Sequence, residues 1–212
     1  MTGEPTNKKA VAFFDGQNLF YAAKEAFGYP YPNYDPLVLA RRICDGKRWS
    51  LESVRFYTGV PEVSDKPFWH HFWNNKLAVM GKKGVQTFRR PLRYRNQIVI
   101  ADGKTVTALV GQEKGVDIRI ALDMVRMAHQ KAYDVALIFS QDQDLTEAVE
   151  EVKTIAKEQN RWIRAACAFP VSPTYRNRRG IDKTDWIAIE RPLYEACIDP
   201  SDYRSKDVKD LK

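Results

Sequence analysis

The sequence lacks the features that mark secreted and membrane proteins. It has three cysteines, Cys44, Cys167 and Cys197, which lie too far apart to form a CxxC motif or a disulfide framework. We expect reduced thiols in a cytoplasmic protein. No apolar run approaches the roughly 20 residues that a membrane-spanning helix needs, and the polar residues 1–9 lack the apolar segment of a secretory signal. These absences predict a protein without membrane association.

Histidines and glycine-rich motifs are also scarce. The three histidines, His70, His71 and His129, are not spaced with the cysteines as zinc ligands. Neither GxGxxG nor GxxxxGK[ST] occurs, which argues against an enzyme that binds a nucleotide cofactor through a glycine-rich loop. No histidine stands near Ser140 in a triad-like pattern, so serine-based nucleophilic catalysis is not expected.

What the chain does contain is a foldable share of apolar residues and an excess of positive charge. Its 212 residues, of which 44% are hydrophobic and 29% charged, suit one globular domain with a buried core. We expect a flexible N-terminus at 1–9, one domain at 10–198 and a polar C-terminal tail at 199–212. The net charge of +7 is compatible with a polyanionic partner without proving one.

Positive charge is concentrated in two segments of the chain. Both are predicted to contact RNA through its phosphates, with Tyr94 available for stacking in the first. The alternatives are a charged edge strand that prevents aggregation in the first segment and a solvated loop in the second. The predicted RNA contacts are Lys82, Lys83, Arg89, Arg90, Arg93 and Arg95, followed by Arg176, Arg178 and Arg179.

Short apolar runs alternate with helical patterns along the chain. The runs at 10–14 and 134–139 predict buried strands, and 116–129 has helical periodicity. This alternation predicts an α/β fold, a three-layer sandwich with a mostly parallel central sheet and helices on both faces. Two alternating stretches joined by Ala101-Asp102-Gly103-Lys104 predict a β-hairpin inserted at about 91–111.

Acidic residues follow two of the predicted strands. Asp15 ends the first strand, and the next residue, Gly16, is expected to let the backbone turn sharply. Asp142 and Asp144 follow the strand at 134–139. Function gathers at the carboxyl ends of the strands in an open parallel sheet. The three aspartates are therefore expected to converge if the two strands are neighbours.

A third acidic element lies at the start of a predicted helix. Glu113 and Asp117 are four residues apart and can share one helix face, whereas Asp123 points about 120° away from Asp117. Asp117 is therefore the better candidate for the cluster, with Glu113 and Asp123 as surrounding groups. Crowded carboxylates must be protonated or neutralised by a cation, and oxygen ligands without His or Cys suit Mg²⁺ or Mn²⁺. Two such ions can hold a phosphodiester and activate water.

Three segments together resemble the NYN domain, a family often labelled LabA-like that has a PIN-like nuclease fold. They are FFDGQNLF at 13–20, KGVDIRIALDM at 114–124 and DVALIFSQDQDL at 134–145, and GIDKTDWIAI at 180–189 extends the likeness. The resemblance implies metal-dependent cleavage of RNA by water. Carried over by position, it implies Asp15, Asp117, Asp142 and Asp144 as metal-binding and catalytic residues, with Asn18 as the polar companion of Asp15.

The sequence departs from the family pattern at one position of this cluster. The family's SGDSD-like motif reads Ser140-Gln141-Asp142-Gln143-Asp144 here, so Gln141 stands where the family usually has glycine. All the acids are present, and the resemblance therefore implies catalytic competence.

Other interpretations of the same residues stay open. Each acidic motif taken alone is typical of a turn, a helix N-terminus or an exposed helix face. The fold could instead carry a non-catalytic RNA-binding module, or an enzyme acting on a small molecule in the same pocket. RNA is not distinguished from single-stranded DNA. The aromatic run at 68–73 places Trp69 and Trp73 on one helical stripe, which favours a core or homodimer face over a base-stacking platform.

Overall fold

Strands and helices alternate in the computed structural model, which describes residues 3–101 and 104–203. The strands are β1 (Lys8–Asp15), β2 (Trp49–Val60), β3 (Gln86–Pro91), β4 (Arg93–Ala101), β5 (Lys104–Gln112), β6 (Val135–Phe139), β7 (Arg164–Pro170) and β8 (Asp185–Ile189). The helices are α1 (Gly16–Phe27), α2 (Pro36–Lys47), α3 (Pro67–Lys82), α4 (Val116–His129), α5 (Thr146–Glu158) and α6 (Arg191–Glu195). The predicted Asp102-Gly103 turn lies outside the described residues.

Six of the described strands form one sheet in the order β3-β2-β1-β6-β7-β8, with every neighbouring pair parallel. β1 lies at the centre and pairs with β6, so that Phe14 stands opposite Phe139. The condition for convergence is therefore met, because the strand that ends in Asp15 and the strand that precedes Asp142 are neighbours.

Helices cover both faces of the sheet because the central strands are apolar at successive positions, and these positions point alternately to the two faces. Ala12 and Phe14 of β1 belong to the core beneath α1, α2 and α3, whereas Val11 and Phe13 belong to the core beneath α4 and α5. This arrangement confirms the predicted PIN-like three-layer sandwich. In the described part of the chain, no helix combines the length and the apolar character that a bilayer crossing requires.

The predicted hairpin is formed by β4 and β5, which pair antiparallel in a small sheet of their own. Its base is attached to the end of β2: the backbone N–H of Leu92 donates to the carbonyl of Val60 at 3.1 Å, and the backbone N–H of Glu62 donates to the Tyr94 hydroxyl at 2.9 Å. Ile100, further out, is 81% exposed. The hairpin is thus fixed at its base, beside the carboxyl ends of the strands.

At both ends of the chain, residues outside the predicted domain limits of 10–198 take part in the fold. β1 begins at Lys8, inside the segment predicted to be flexible. At the other end, the buried Asp199 lies 3.6 Å from Nζ of Lys76, whose side chain is 0% exposed. The buried lysine needs an anionic partner, which explains why the first residues of the predicted polar tail pack against α3. Residues 204–212 of that tail lie outside the described part.

The aromatic residues at the start of α3 differ in their burial. Phe72 and Trp73 are buried in the core, as the sequence favoured, while Trp69 is half-buried. The homodimer expected from this face stays a prediction.

Candidate active site

Asp15 stands at the junction of β1 and α1, where both of its carboxylate oxygens are held. One oxygen caps α1 by accepting from the backbone N–H of Asn18 at 3.0 Å, as is usual for an aspartate before a helix. The other accepts from the Ser140 hydroxyl at 3.2 Å. These two bonds fix the orientation of the Asp15 carboxylate.

Gly16 is required here by a close approach of the chain. A Cβ atom at this position would lie 2.5 Å from Cζ of Phe56 and 2.9 Å from the carbonyl oxygen of Tyr57. The backbone does not adopt a positive φ at Gly16, so the sharp turn expected from the sequence is the wrong reason for this glycine. Its small size lets α1 begin directly against β2.

The loop after β6 carries Asp142 and is tied to α1. The Ser140 hydroxyl, which donates to Asp15, also accepts from the backbone N–H of Asp142 at 3.1 Å. Oδ1 of Asn18 accepts from the backbone N–H of Gln141 at 2.9 Å. Ser140 and Asn18 therefore hold the ends of the two central strands in one geometry.

A cleft of about 350 Å³ opens at this edge of the sheet. Its walls include five polar residues that the sequence analysis singled out, Asp15, Asn18, Glu113, Asp117 and Asp142. A larger groove of about 800 Å³ beside Arg178 and Arg191 includes a single acid, so the carboxylate chemistry belongs to the smaller cleft.

Glu113 contributes more directly to the cleft than the sequence suggested. It follows β5, and its carboxylate accepts from the backbone N–H of Gly59. Burial, followed by the negative charge of Asp15, raises the pKa of Glu113 to about 8. The sequence placed Glu113 only around the cluster because helix spacing alone could not show that the hairpin directs this residue into the cleft.

Asp15 also titrates above its ordinary range. Its pKa is raised to about 6, and burial is the largest cause. The hydrogen bonds from Asn18 and Ser140 lower the pKa, whereas the negative charges of Asp142 and Asp117 raise it. The cleft therefore concentrates negative charge in a buried place, where a proton or a cation is favoured.

Asp144 and Asp123 lie outside this cleft. Asp144 is exposed and lines a neighbouring groove between α4 and α5, with Asp117 at the boundary between the two cavities. Its backbone N–H donates to Oδ1 of Asp142 at 3.0 Å and starts a short 3₁₀ turn, Gln143–Leu145. The structure therefore brings Asp144 into one groove with Asp117 but not into the cleft that Asp15 and Asp142 line, because the turn leaves its side chain exposed.

Asp123 is a structural residue rather than a member of the site. It is 2% exposed and accepts from the Tyr57 hydroxyl at 2.9 Å, from Arg55 at 3.1 Å and from Arg126 at 3.0 Å. Burial alone would raise its pKa, but the Tyr57 hydrogen bond and the Arg55 charge lower it overall. The expectation that Asp123 surrounds the metal site is therefore wrong, because its charge is neutralised within the fold.

One of the predicted RNA contacts is similarly engaged. Nζ of Lys83 lies 2.8 Å from a carboxylate oxygen of Asp35 and 4.0 Å from one of Asp199. Lys83 is better explained as a partner in structural ion pairs, although its side chain is 39% exposed; Lys82 is also exposed.

The cations predicted at the hairpin divide between two strands: Arg89 and Arg90 belong to β3 of the main sheet, and Arg93 and Arg95 belong to β4 of the hairpin. Arg90 donates to the carbonyl of Lys114 at 3.3 Å, and Lys114 lines the cleft. Arg93 and Arg95 are exposed and share one face of β4, since they are two residues apart. Arg89 is exposed and donates to Asn74 at 2.6 Å.

Gln141, the residue that departs from the family pattern, fixes the second basic loop. Its Nε2 donates to the carbonyls of Asn177 at 3.1 Å and Arg179 at 2.9 Å, and its Oε1 accepts from the Tyr175 hydroxyl at 2.8 Å. Gln143 adds a bond to the carbonyl of Gly180 at 3.0 Å. The two glutamines thus attach the loop at 175–182 to the carboxylate-bearing turn, with the side chains of Arg176, Arg178 and Arg179 exposed.

The donor chemistry of the cleft suits a hard divalent cation. Its candidate ligands are carboxylate oxygens, without histidine or cysteine, which is the preference of Mg²⁺ and Mn²⁺. In the described residues, however, no group of three or more His, Cys, Asp and Glu side chains is already arranged to hold a metal ion. The carboxylates line one cleft but would have to move closer together to share an ion.

The fold and the acidic cleft together define a class of protein. A parallel α/β sandwich with carboxylates at the carboxyl end of two adjacent central strands is the arrangement of a PIN-like fold. The family model of the NYN domain matches residues 9–160, more than half of the chain. The chain therefore belongs to the NYN domain family, a family of PIN-like nucleases that act on nucleic acids.

Solved structures with a weaker likeness add nothing to this assignment. The tetrameric inhibited form of phosphofructokinase-2 from Escherichia coli is 9% identical, with a TM-score of 0.34 over 77% of this chain and 55% of that one. MurG from Acinetobacter baumannii is also 9% identical, with a TM-score of 0.32 over 85% and 45%. The chain spans about half the length of these two proteins. No curated protein matches the sequence.

Proposed function

We propose that the protein is a divalent-metal-dependent endoribonuclease that hydrolyses phosphodiester bonds in the acidic cleft. The observation that carries this proposal is that Asp15, Asp117, Asp142 and Glu113 line one cleft at the carboxyl edge of an NYN-family sheet. Asp144 is outside this set, and Glu113 enters it.

A bound Mg²⁺ or Mn²⁺ would supply charge neutralisation and an activated water. Asp15, Asp117 and Asp142 are the residues that would hold it. Hydrolysis forms a bond between the water oxygen and phosphorus and breaks the bond from phosphorus to the adjacent ribose oxygen, which leaves as a hydroxyl.

Two residues of this chain act directly on the substrate in this account. Asn18 has its Oδ1 occupied by the backbone N–H of Gln141, so the group it offers to the cleft is its NH₂, a donor for a phosphate oxygen. Glu113, whose pKa is raised to about 8 when no metal is bound, is the carboxyl group of the cleft that can exchange a proton with the leaving oxygen. Ser140 is a positioning residue, because it orients Asp15 and Asp142 from behind.

The basic surfaces beside the cleft suit a polyanionic strand. Arg90 lies at the end of β3, Arg93 and Arg95 lie at the start of the hairpin strand β4, and the loop at 175–182 carries three further arginines. Cations beside an acidic centre bind the phosphate backbone while the carboxylates act where the bond breaks.

The proposal is tested by cleavage of a pool of cellular RNA with wild type and Asp142→Asn, each with Mn²⁺ and with a chelator. We expect cleavage only with wild type and Mn²⁺. Equal cleavage by both proteins would contradict the site. RNA that is bound but stays intact would instead favour the non-catalytic RNA-binding module, and turnover that needs an organic cofactor would favour the small-molecule enzyme.

A further inference from the structure

A second cavity adjoins the acidic cleft. It has a volume of about 210 Å³ and is lined by residues of α1, the start of α3 and the hairpin base. Gln17 and Tyr21 line both cavities. Gly59 lines the second cavity, and its backbone N–H donates to Glu113 in the first. The two cavities are therefore neighbours that share Gln17 and Tyr21 in their walls.

The walls of this cavity are aromatic. Phe20, Tyr21, Trp69 and Trp73 all line it. The ring centroids of Phe20 and Trp69 are 5.8 Å apart, and those of Phe20 and Tyr21 are 5.2 Å apart. Phe20 and Trp73 are buried, but Tyr21 is 52% exposed and Trp69 is half-buried. Tyr21 and Trp69 are therefore the rings with surface left for a ligand. Trp69 also packs against the core, so the core or homodimer face that the sequence favoured describes only part of its surface.

The rim of the cavity is positively charged. Lys24 and Lys66 line it and are exposed, and no acidic side chain is among the described residues that form it. Gln17, Tyr21 and Lys24 follow one another along one stripe of α1. One stripe of α1 therefore carries Gln17 beside the acidic cleft, then the ring of Tyr21, and then the positive charge of Lys24.

We propose that this cavity binds an unpaired nucleobase of the RNA whose phosphodiester lies in the acidic cleft. Tyr21 and Trp69 stack on the base, and Lys24 and Lys66 contact the neighbouring phosphates. This inference rests on the proposed nuclease function. Aromatic faces combined with cations are the usual means by which proteins hold single-stranded nucleic acid.

The size of the cavity and its position set the substrate class. At about 210 Å³ it is smaller than the roughly 300–1,000 Å³ of sites for drug-sized ligands, which suits one planar ring system. A base can reach it only by leaving its helix, and this costs least where the base is unpaired. The enzyme should therefore act on single-stranded RNA, loops or bulges rather than on continuous duplex.

The test is a binding measurement in the Asp142→Asn background, where the RNA stays intact. Fluorescence anisotropy in Mg²⁺ buffer gives the affinity of a labelled single-stranded RNA and of a series in which one nucleotide at a time is abasic. We expect one abasic position to weaken binding by roughly five- to 150-fold, the range of one base stack. Tyr21→Ala should weaken binding of the intact RNA to a similar degree and abolish the penalty at that position.

Two further variants control this result. Trp69→Phe retains a ring and should preserve most of the affinity. Leu122→Ala removes a comparably exposed apolar side chain from α4, outside the cavity, and should change nothing. Circular dichroism of each variant shows that the fold is intact.

Several outcomes would overturn the inference. The first is equal affinity for the intact RNA and for every abasic RNA. The second is a loss of affinity at one abasic position that persists in Tyr21→Ala. The third is binding of a free nucleoside monophosphate that depends on Tyr21 when RNA binding does not. Cleavage of RNA by the wild type together with any of these results would contradict the base site and support the proposed nuclease function. Base-dependent binding without cleavage by the wild type would support the base site and contradict the proposed nuclease function. Failure to bind any RNA removes both.

Discussion

At the scale of single residues, the acidic cleft keeps carboxylates in a place where their charge is unfavourable. Burial is the largest cause of the raised pKa of Asp15, and the charges of Asp142 and Asp117 add to it. Burial is also the largest cause of the raised pKa of Glu113, and the charges of Asp15 and Asp117 add to it. Stored unfavourable charge of this kind is common at functional sites, because a cation or a substrate proton relieves it. The cleft should therefore affect both the stability and the activity of the protein.

The stability of the metal-free protein should fall as pH rises. The folded protein binds the Glu113 proton more tightly than the unfolded chain does, because its pKa moves from 4.5 to about 8. The stabilisation from that proton is fully present below pH 4.5 and is lost as pH rises through about 8. Glu113→Gln should abolish this loss and raise Tm by several degrees at pH 8.5, with little change at pH 4.5.

Thermal unfolding in the presence of a chelator measures this effect. Glu151→Gln, which changes an exposed glutamate on α5, is the matched control and should follow wild type. A Glu113→Gln protein no more stable than wild type at pH 8.5 would show that Glu113 is not buried among like charges.

The two aspartates of the loop after β6 should differ in importance. Asp142 lines the acidic cleft and Asp144 does not, so Asp142→Asn should lower kcat by on the order of 100-fold or more, and Asp144→Asn by much less. Initial rates on one defined RNA compare them. Equal losses would mean that Asp144 belongs to the catalytic set, as the family resemblance implied.

Residues near the strand ends could be predicted from sequence to different extents. Asp15, Asp117 and Asp142 could be identified because strand ends and helix starts are local patterns, whereas their convergence depended on the pairing of β1 with β6, which the sequence left as a condition. The role of Glu113 could not, since it depends on how the hairpin returns to the domain. The ion pairs of Asp123 with Arg55, Arg119 and Arg126 were equally hidden, because Arg55 is 68 positions away in the chain.

At the scale of secondary-structure elements, the hairpin provides a separable cationic surface. Arg93→Ala combined with Arg95→Ala should weaken RNA binding and reduce the slope of log K against log salt by about 1.4, since each contact to single-stranded phosphate contributes about 0.7. Binding titrations at several salt concentrations measure this slope.

A matched pair of exposed cations on α2 provides the control for this prediction. Arg41→Ala combined with Lys47→Ala removes the same charge elsewhere. If both double variants change the slope equally, net charge alone explains the binding, and the hairpin returns to its alternative role as a charged edge.

The loop at 175–182 should depend on the two glutamines that hold it. Gln141→Gly restores the usual family residue but leaves the Tyr175 hydroxyl and two carbonyls without their partner, at a cost of about 1–3 kcal/mol for each group that stays buried. We expect faster amide exchange in the loop and a higher KM, with kcat changed much less. Hydrogen exchange and steady-state kinetics measure both.

Gln130→Ala, an exposed glutamine at the end of α4, controls for the change of residue type. Amide exchange in the loop that stays at the wild-type rate in Gln141→Gly would contradict its role as an anchor. From the sequence, Gln141 could be identified only as a departure from the family pattern, because its partners lie 34 to 38 positions further along the chain.

At the scale of the whole molecule, a buried ion pair fastens the last described segment to α3. Burial lowers the pKa of Lys76 to about 8, and Asp199 opposes that shift. Asp199→Ala leaves this lysine without its closest anionic partner, so we expect a loss of about 3–5 kcal/mol in unfolding free energy. Urea unfolding at pH 7 measures it.

Asp185→Ala is the matched control for the buried pair. Asp185 pairs with Arg164 at 3.0 Å, but both side chains are about half exposed, so its removal should cost at most about 1 kcal/mol. Equal losses for the two variants would contradict the structural role of Lys76 and Asp199. The sequence interpretation of residues 199 onward as a tail missed this pair, because composition does not show which lysine is buried.

The central claim, that the acidic cleft is a divalent-metal site in an NYN-family nuclease, is tested most directly by a Mn²⁺ titration. Calorimetry on wild type, Asp142→Asn and Asp144→Asn at pH 7 gives the affinity of each protein. The account predicts saturable binding by wild type, binding at least tenfold weaker in Asp142→Asn, and near wild-type binding in Asp144→Asn. No saturable binding by wild type, or the same affinity in wild type and Asp142→Asn, would contradict it.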